Sequence, residues 1–157
     1  MNSKNFSLTL LLCLFALTTF AQSSKMPADF TLSYLYKAGM LPQSESLEID
    51  KEGGKYKSEN KDKTKEKLLK RTDAGIAKLY TKLQKTGVFT VKRPPAVMKP
   101  EELYMDESTE KLVLSANAQT FHFNLNRLNE AKYSEEDIEK IKKAKELIRN
   151  YCKTLNK

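Results

Sequence analysis

The stretch FTLSYLYK, residues 30–37, decides the fold of this chain. Every second position in it carries a large apolar side chain, and these positions are Phe30, Leu32, Tyr34 and Tyr36. Because successive side chains of a strand point to opposite faces of a sheet, the alternation predicts a strand with one face buried and the other in solvent. A sheet with one covered face is typical of antiparallel α+β proteins.

The same pattern resumes beyond a loop at residues 39–42, where glycine and proline interrupt the alternation. Leu47 and Ile49 alternate with acidic residues and predict a second strand. The paired glycines at 53–54 predict a tight hairpin turn with positive φ, after which Tyr56 opens the returning strand.

An apolar stripe of helical period follows the lysine-rich segment. Thr72 or Asp73 would cap the first turn of this helix and Gly87 would end it. The stripe consists of Ile76, Leu79, Tyr80 and Leu83. Residues 88–91 return to an extended apolar pattern, and the prolines of residues 93–100 predict a connector between two halves of the chain.

The second half repeats the order of strands first and helix last. Three apolar pairs predict strands, with a turn at residues 115–118, and the pairs are Leu103 with Met105, Leu112 with Leu114, and Phe121 with Phe123. Ser134 would cap a final helix, whose docking face is Ile141, Ala144, Ile148, Tyr151 and Leu155. We therefore predict an α+β domain in which an antiparallel sheet carries two amphipathic helices on one face, built from two strand–strand–helix halves.

The amino terminus has the pattern of a secretory signal peptide. Lys4 precedes an apolar run over residues 8–20, which is shorter than the roughly 20 residues that a membrane-spanning helix needs. Cleavage after Ala21 would remove residues 1–21 and leave one small domain, residues 22–157, without a transmembrane segment. We expect a bacterial protein that is secreted or periplasmic, with a retained membrane anchor as the alternative.

The chain has 157 residues and a formal net charge of +8, and its basic side chains concentrate in one segment. Residues 51–71 contain nine basic residues and four acidic ones. Lysines there would keep an exposed hairpin or sheet edge soluble and unpaired, in a segment that is either mobile or at an edge. The alternative is a patch that binds an acidic polysaccharide, a lipid headgroup or an acidic protein through Lys55, Lys57, Lys61, Lys63 and Lys65. We expect no nucleic-acid partner, because the export signal removes the protein from the cytoplasm and Tyr56 is the only stacking aromatic in the run.

The sequence offers few groups for catalysis. The single histidine, His122, lies between Phe121 and Phe123, so alternation places it on the opposite, exposed face of the sheet. It has no histidine or cysteine companion for a zinc site. After export Cys152 would be the remaining thiol, buried in the last helix or, as the alternative, linking a dimer. We expect no catalytic residue, no metal and no cofactor.

Three acidic residues, Asp106, Glu107 and Glu110, cluster near a predicted hairpin. Their spacing lacks the glycine and the regular oxygen ligands of a calcium loop. We interpret them as the ordinary composition of a solvated turn.

The order of motifs supports a resemblance. The strand that runs into residues 36–42, then residues 47–50, the glycine pair and the helix with Leu79, Tyr80 and Leu83, resembles a group of small secreted bacterial proteins of unassigned function. It is also similar in order of elements to the emfourin-type inhibitors of thermolysin-like proteinases. The resemblance covers about residues 30–89, and it implies a secreted protein and, on the emfourin side, proteinase inhibition. No inhibitory residue is assigned from it.

We expect a secreted binding domain without enzymatic activity, whose partner is another protein or an anionic envelope component. The exposed face of the sheet or the first loop would make the contact. The loop residues concerned are Gly39, Met40, Leu41 and Pro42. The alternative function is a proteinase inhibitor that acts through the loop of residues 38–43.

Overall fold

The described part of the chain in the computed structural model is residues 25–92, 108–129 and 131–157. Several predictions lie outside these residues: the signal peptide of residues 1–21, the connector of residues 93–100, the strand of Leu103 and Met105, and the acidic residues Asp106 and Glu107.

One antiparallel sheet of six strands forms the body of the described structure. The strands are β1 (Thr31–Lys37), β2 (Ser44–Ile49), β3 (Gly53–Asn60), β4 (Lys63–Lys70), β5 (Thr109–Ala116) and β6 (Gln119–Asn124). Their order across the sheet is β4-β3-β2-β1-β5-β6. The helices are α1 (Ala74–Thr86) and α2 (Glu135–Leu155), and a 3₁₀ helix spans Val88–Thr90. This confirms the α+β class. Among the described residues, four strands precede α1 and two lie between α1 and α2.

The core lies between the two helices and one face of the sheet. In β1, Leu32 and Tyr34 are buried while Ser33 and Lys37 lie in solvent, as the alternation in residues 30–37 predicts. The strand register continues the buried face through Leu47, Ile49, Tyr56, Leu112 and Leu114. Each such side chain contributes about 1.5–3 kcal/mol when it leaves water, so this one face accounts for much of the stability of the fold.

Helix α1 has the predicted stripe and the predicted C-terminal glycine but not the predicted cap, and the segment after it also differs from its prediction. Asp73 occupies the N-cap position, but its carboxylate accepts the amide of Lys70 at 3.0 Å and makes no hydrogen bond to the helix. The predicted stripe is buried, and α1 ends at Gly87 in the left-handed conformation, at φ 76°. Val88–Thr90 was expected to be extended but forms a 3₁₀ helix. The reason is that the amide of Thr90 donates to the carbonyl of Gly87 at 2.9 Å and the amide of Val88 donates to the hydroxyl of Thr86 at 3.2 Å.

The turn between β2 and β3 corrects the prediction for the glycine pair. Neither Gly53 nor Gly54 has a positive φ, and both lie within β3. The turn forms earlier, where the carboxylate of Asp50 accepts the amides of Glu52 at 2.8 Å and Gly53 at 2.9 Å. A Cβ on Gly54 would lie 2.9 Å from the carbonyl oxygen of Glu48, so glycine is required there for close approach of the strands.

The turn between β5 and β6 is shorter than predicted. Only Asn117 and Ala118 leave the ladder, with φ of 53° and 61°. Two consecutive residues with positive φ fit a two-residue hairpin because their twist matches that of the flanking strands.

Helix α2 begins and docks as its sequence predicts. The hydroxyl of Ser134 accepts the amide of Asp137 at 3.1 Å, which caps the first turn. Of the predicted face, Tyr151 is half-buried and the rest is buried, together with Cys152. No helix in the described ranges is both long enough and apolar enough to cross a membrane.

Candidate functional site

The antiparallel topology gives the sheet two distinct ends. At one end, which we call the loop end, lie the β1–β2 loop of residues 38–43 and the β3–β4 turn of residues 61–62. At the other, which we call the turn end, lie the turns at residues 50–52 and 117–118.

The β1–β2 loop presents two neighbouring apolar side chains to solvent. Met40 is 81% exposed and Leu41 is 65% exposed. The backbone of the loop is bonded to itself: the amide of Leu41 donates to the carbonyl of Ala38 at 2.8 Å, and the amide of Gln43 donates to the carbonyl of Leu41 at 2.7 Å. Gly39 has a φ of 35°, a conformation that favours glycine. The loop is therefore a preformed apolar tip.

All four residues that the sequence assigned to partner binding are exposed on this loop, and they are Gly39, Met40, Leu41 and Pro42. The structure thus brings the predicted contact residues together.

The five lysines assigned to anion binding are divided between different surfaces. Lys55 and Lys57 lie on the solvent-exposed face of the sheet, in ion pairs with Glu66 at 3.4 Å and Glu59 at 2.6 Å. Hydrogen bonding to Glu59 raises the pKa of Lys57. These two lysines are therefore already partly neutralised.

The other three belong to the β3–β4 hairpin at the sheet edge. Lys61 lies in its turn, at the loop end. Lys63 and Lys65 follow in β4, on the face that the helices cover, because they alternate in phase with the buried Leu69. The ammonium group of Lys65 donates to the carbonyl of Asn156 at the end of α2, where the helix dipole favours a cation. The edge position of this segment agrees with one of the two predictions made for it.

Glu110 is the charged residue that the sequence interpretation misplaced. It lies in β5 and is 2% exposed, not in a solvated turn. Tyr34 donates to its Oε1 at 2.8 Å, Arg149 Nε donates to the same oxygen at 2.8 Å, and Lys145 Nζ lies 2.6 Å from Oε2. The sequence did hold a signal, since Glu110 is in phase with Leu112 and therefore faces the helices.

The groups around Glu110 stabilise one another electrostatically. Burial is the largest cause that raises the pKa of Tyr34, so its hydroxyl remains a proton donor. For Arg149, burial opposes the charge, but the hydrogen bond from Arg149 to Tyr34 and the charge of Glu110 outweigh it and raise the pKa of the guanidinium. Two cations, Lys145 and Arg149, thus share the one carboxylate of Glu110.

Arg149 connects the buried cluster to the loop end. Its guanidinium carbon lies 5.7 Å from the ring centroid of Tyr36, a residue of β1 two positions before Ala38. The side chain is 41% exposed. No hydrogen bond from its Nη atoms is present within the described residues.

Arg71 occupies a parallel position at the turn end. Its guanidinium carbon also lies 5.7 Å from an aromatic centroid, that of Phe30. However, its Nη1 donates to the carbonyl of Asp50 at 2.7 Å and its Nη2 donates to the carbonyl of Pro27 at 3.2 Å. The terminal nitrogens of Arg71 therefore link the backbone at Asp50 to the backbone at Pro27.

The remaining predicted groups, His122 and Cys152, are not part of the exposed loop. His122 is exposed on the face opposite Phe121 and Phe123, as the alternation predicts. Cys152 is 0% exposed, and burial raises the pKa of its thiol, so a disulfide between two copies would require local opening of α2. Among the residues that the structure describes, no three His, Cys, Asp or Glu side chains lie close enough to hold a metal ion.

A surface depression of about 670 Å³ lies at the turn end. Met26, Tyr80, Phe89 and Ala116 are among the residues that line it. Its volume is within the range of small-molecule sites, roughly 300–1,000 Å³.

Comparison with known proteins finds no family model that matches this chain and no matching curated protein. The resemblance to emfourin-type inhibitors stays a prediction.

Proposed function

We propose that this chain is an exported binding domain without enzymatic activity, and that it docks on another protein through the β1–β2 loop. One observation carries the proposal: Met40 and Leu41 extend into solvent, 81% and 65% exposed, from a loop whose backbone is bonded to itself. Export is inferred from residues 1–21. An intact mass of the purified protein equal to that of residues 22–157 would support it.

The two side chains supply the apolar part of an interface. Burying a side chain of this size in a partner's pocket contributes about 1.5–3 kcal/mol. Methionine is also enriched in the buried cores of protein interfaces. Two such residues side by side on a protruding loop fit a concave apolar site on a partner.

The hydrogen bonds inside the loop lower the cost of binding. Ala38 is buried at the base of the loop, and its amide donates to the carbonyl of Gln43 at 3.0 Å. A loop that already holds one conformation loses little conformational entropy when it docks. The loop end can therefore bind as a nearly rigid body.

The charges beside the loop favour an acidic partner. Lys37, Lys61 and Lys63 are exposed at the loop end, and Asp62 lies between the last two. Complementary charge around an apolar pocket accelerates association and selects the partner. Exposed charges act over about 8–10 Å at physiological salt, so binding should weaken as salt rises.

Photo-crosslinking tests this proposal with a matched control. A photoreactive amino acid replaces Met40 in one variant and Leu68 in another, and both positions are 81% exposed. We expect one adduct of discrete mass from position 40 in the native envelope fraction and none from position 68. Excess wild-type protein should suppress the adduct, and the Met40→Ser, Leu41→Ser double variant should not. Equal adducts from both positions, or equal competition by both proteins, would contradict the proposal.

Proteinase inhibition is the second candidate, because the internal hydrogen bonds of residues 38–43 hold the loop in one shape. A thermolysin-like metalloproteinase should then lose activity near a 1:1 ratio of inhibitor to enzyme. Leu41→Asp should abolish the inhibition, since a carboxylate is costly to bury in an apolar pocket. Cleavage of the loop without loss of proteinase activity would exclude this function.

A further inference from the structure

Among the described residues, Arg71 and Arg149 each lie over an aromatic ring, but they differ in what their terminal nitrogens bind. Arg71 uses Nη1 and Nη2 on the backbone carbonyls of Asp50 and Pro27. Arg149 is held through Nε, which donates to Glu110 at 2.8 Å and to the hydroxyl of Tyr34 at 3.2 Å. The terminal nitrogens of Arg71 at the turn end are thus hydrogen-bonded to the backbone, whereas no described residue accepts from those of Arg149 at the loop end.

The guanidinium of Arg149 is held in place before any ligand arrives. Glu110 fixes its Nε edge, and the ring of Tyr36 supports its face at 5.7 Å. Lys145 occupies the second oxygen of Glu110 at 2.6 Å. The carboxylate is therefore satisfied without the Nη atoms of Arg149, and their four N–H donors stay directed at no residue of the described chain.

We propose that Arg149 is a carboxylate-binding residue: it receives an Asp or Glu side chain of the partner protein, next to an apolar residue that contacts Met40 and Leu41. This inference rests on the proposed function, because it uses the same docking surface. The two terminal nitrogens of an arginine match the two oxygens of a carboxylate in a bidentate pair. The exposed Lys37, next to Tyr36 in β1, favours an anion at this end of the sheet.

The partner is therefore an acidic protein segment with apolar residues beside its carboxylates. An anionic lipid surface is the competing occupant, and it would need only charge and insertion of the loop tip. The bidentate geometry separates the two, because it distinguishes an arginine from a lysine of equal charge.

A peptide titration followed by NMR tests the inference. The probe is acetyl-Asp-Leu-Asp-Leu-Asp-Leu-amide, and its control is the peptide with asparagine in place of each aspartate. We expect saturable shifts of the Arg149 Nε–H signal and of the Leu41 amide with the acidic peptide, and affinity at least about tenfold weaker for the asparagine peptide. No saturable shift at millimolar acidic peptide would overturn the inference.

Two substitutions locate the contact. Arg149→Lys should weaken acidic peptide binding about tenfold, because it keeps the charge and loses the bidentate fork. Arg71→Lys is the matched control and should leave the affinity unchanged. Tyr36→Leu leaves the Glu110 contacts in place and should weaken binding about threefold through loss of ring support. Wild-type affinity in Arg149→Lys and in Tyr36→Leu would overturn the inference.

The same titration distinguishes this inference from the proposed function. Shifts at Leu41 that are insensitive to Arg149→Lys would leave loop docking intact and remove the arginine contact. Shifts at Arg149 that are insensitive to Met40→Ser and Leu41→Ser would support the arginine contact and contradict loop docking. Binding to phosphatidylglycerol vesicles without binding to the acidic peptide would overturn both in favour of a lipid surface.

Discussion

The turn end and the loop end of the sheet use their polar groups in opposite ways. At the turn end, Asp50 accepts two amides of its own turn, Asp29 accepts the amide of Ala118 at 2.7 Å, and Arg71 binds backbone carbonyls. At the loop end, no residue in the described ranges accepts a hydrogen bond from the terminal nitrogens of Arg149. Polar groups bonded within the chain fix the fold, whereas exposed and pre-oriented groups can bind a partner. This difference is the reason that we propose the docking surface at the loop end.

The largest expected effect is on stability, and it comes from removing Glu110, the carboxylate that Arg149 and Lys145 share. Glu110→Ala leaves Arg149 and Lys145 without their carboxylate, and we expect the free energy of unfolding to fall by about 3 kcal/mol. Urea denaturation at pH 7 measures this loss. Glu48→Ala, on the exposed face of β2, is the control and should change stability by less than about 0.5 kcal/mol. A loss in Glu110→Ala no larger than in the control would show that the cluster does not hold this end.

Stability at low pH tests the two carboxylates of the turn end, Asp29 and Asp50. Backbone hydrogen bonds, from Ala118 to Asp29 and from Gly53 to Asp50, are the largest causes that lower the pKa of both carboxyls. A folded-state pKa below the unfolded value contributes stability above the unfolded pKa, which is lost as pH falls through the folded pKa. Stability should therefore fall below about pH 4, the region of an ordinary aspartate.

As the pH falls below about 5, the double variant Asp29→Asn, Asp50→Asn should lose less free energy of unfolding than the wild type. Urea denaturation at each pH measures this loss. Glu52→Gln, exposed in the same turn, is its control. An equal loss of the free energy of unfolding at low pH in the double variant and in the wild type would mean that these carboxyls do not stabilise the turn end.

The smallest expected effect on stability concerns the tip itself. Met40→Ser with Leu41→Ser should change the free energy of unfolding by less than about 0.5 kcal/mol, because both side chains lie in solvent. The same variant should fail to compete in the crosslinking experiment. A large loss of stability would show that the tip belongs to the fold and not to an interface.

Much of the fold could be predicted from local pattern. The alternation in residues 30–37 predicts the buried face of β1, and Gly87 and Ser134 mark the end of α1 and the start of α2. The predictions that were wrong depend on geometry that a local pattern does not contain. Gly53 and Gly54 are needed where strands approach closely, not where the chain turns.

The candidate site was predictable in part. The exposed loop of residues 38–43 follows from its glycine and proline, which interrupt two strands. The lysines of residues 55–65 could not be read as one patch, because alternation and the hairpin distribute them over two faces. Arg149 carried no local signal, since its role depends on Glu110 and Tyr36 in distant strands.

The sequence by itself determined the α+β class, the apolar face of β1, β2, β5 and β6, and the docking stripes of both helices. These follow from side-chain period, which is set within a few residues. Only the tertiary structure decided that Glu110 is buried, that Arg71 donates to the carbonyl of Asp50 and that Arg149 donates through Nε to Glu110. The physical reason is that a charged group finds its partners through space, across elements whose relative positions are set by the packing of the whole core.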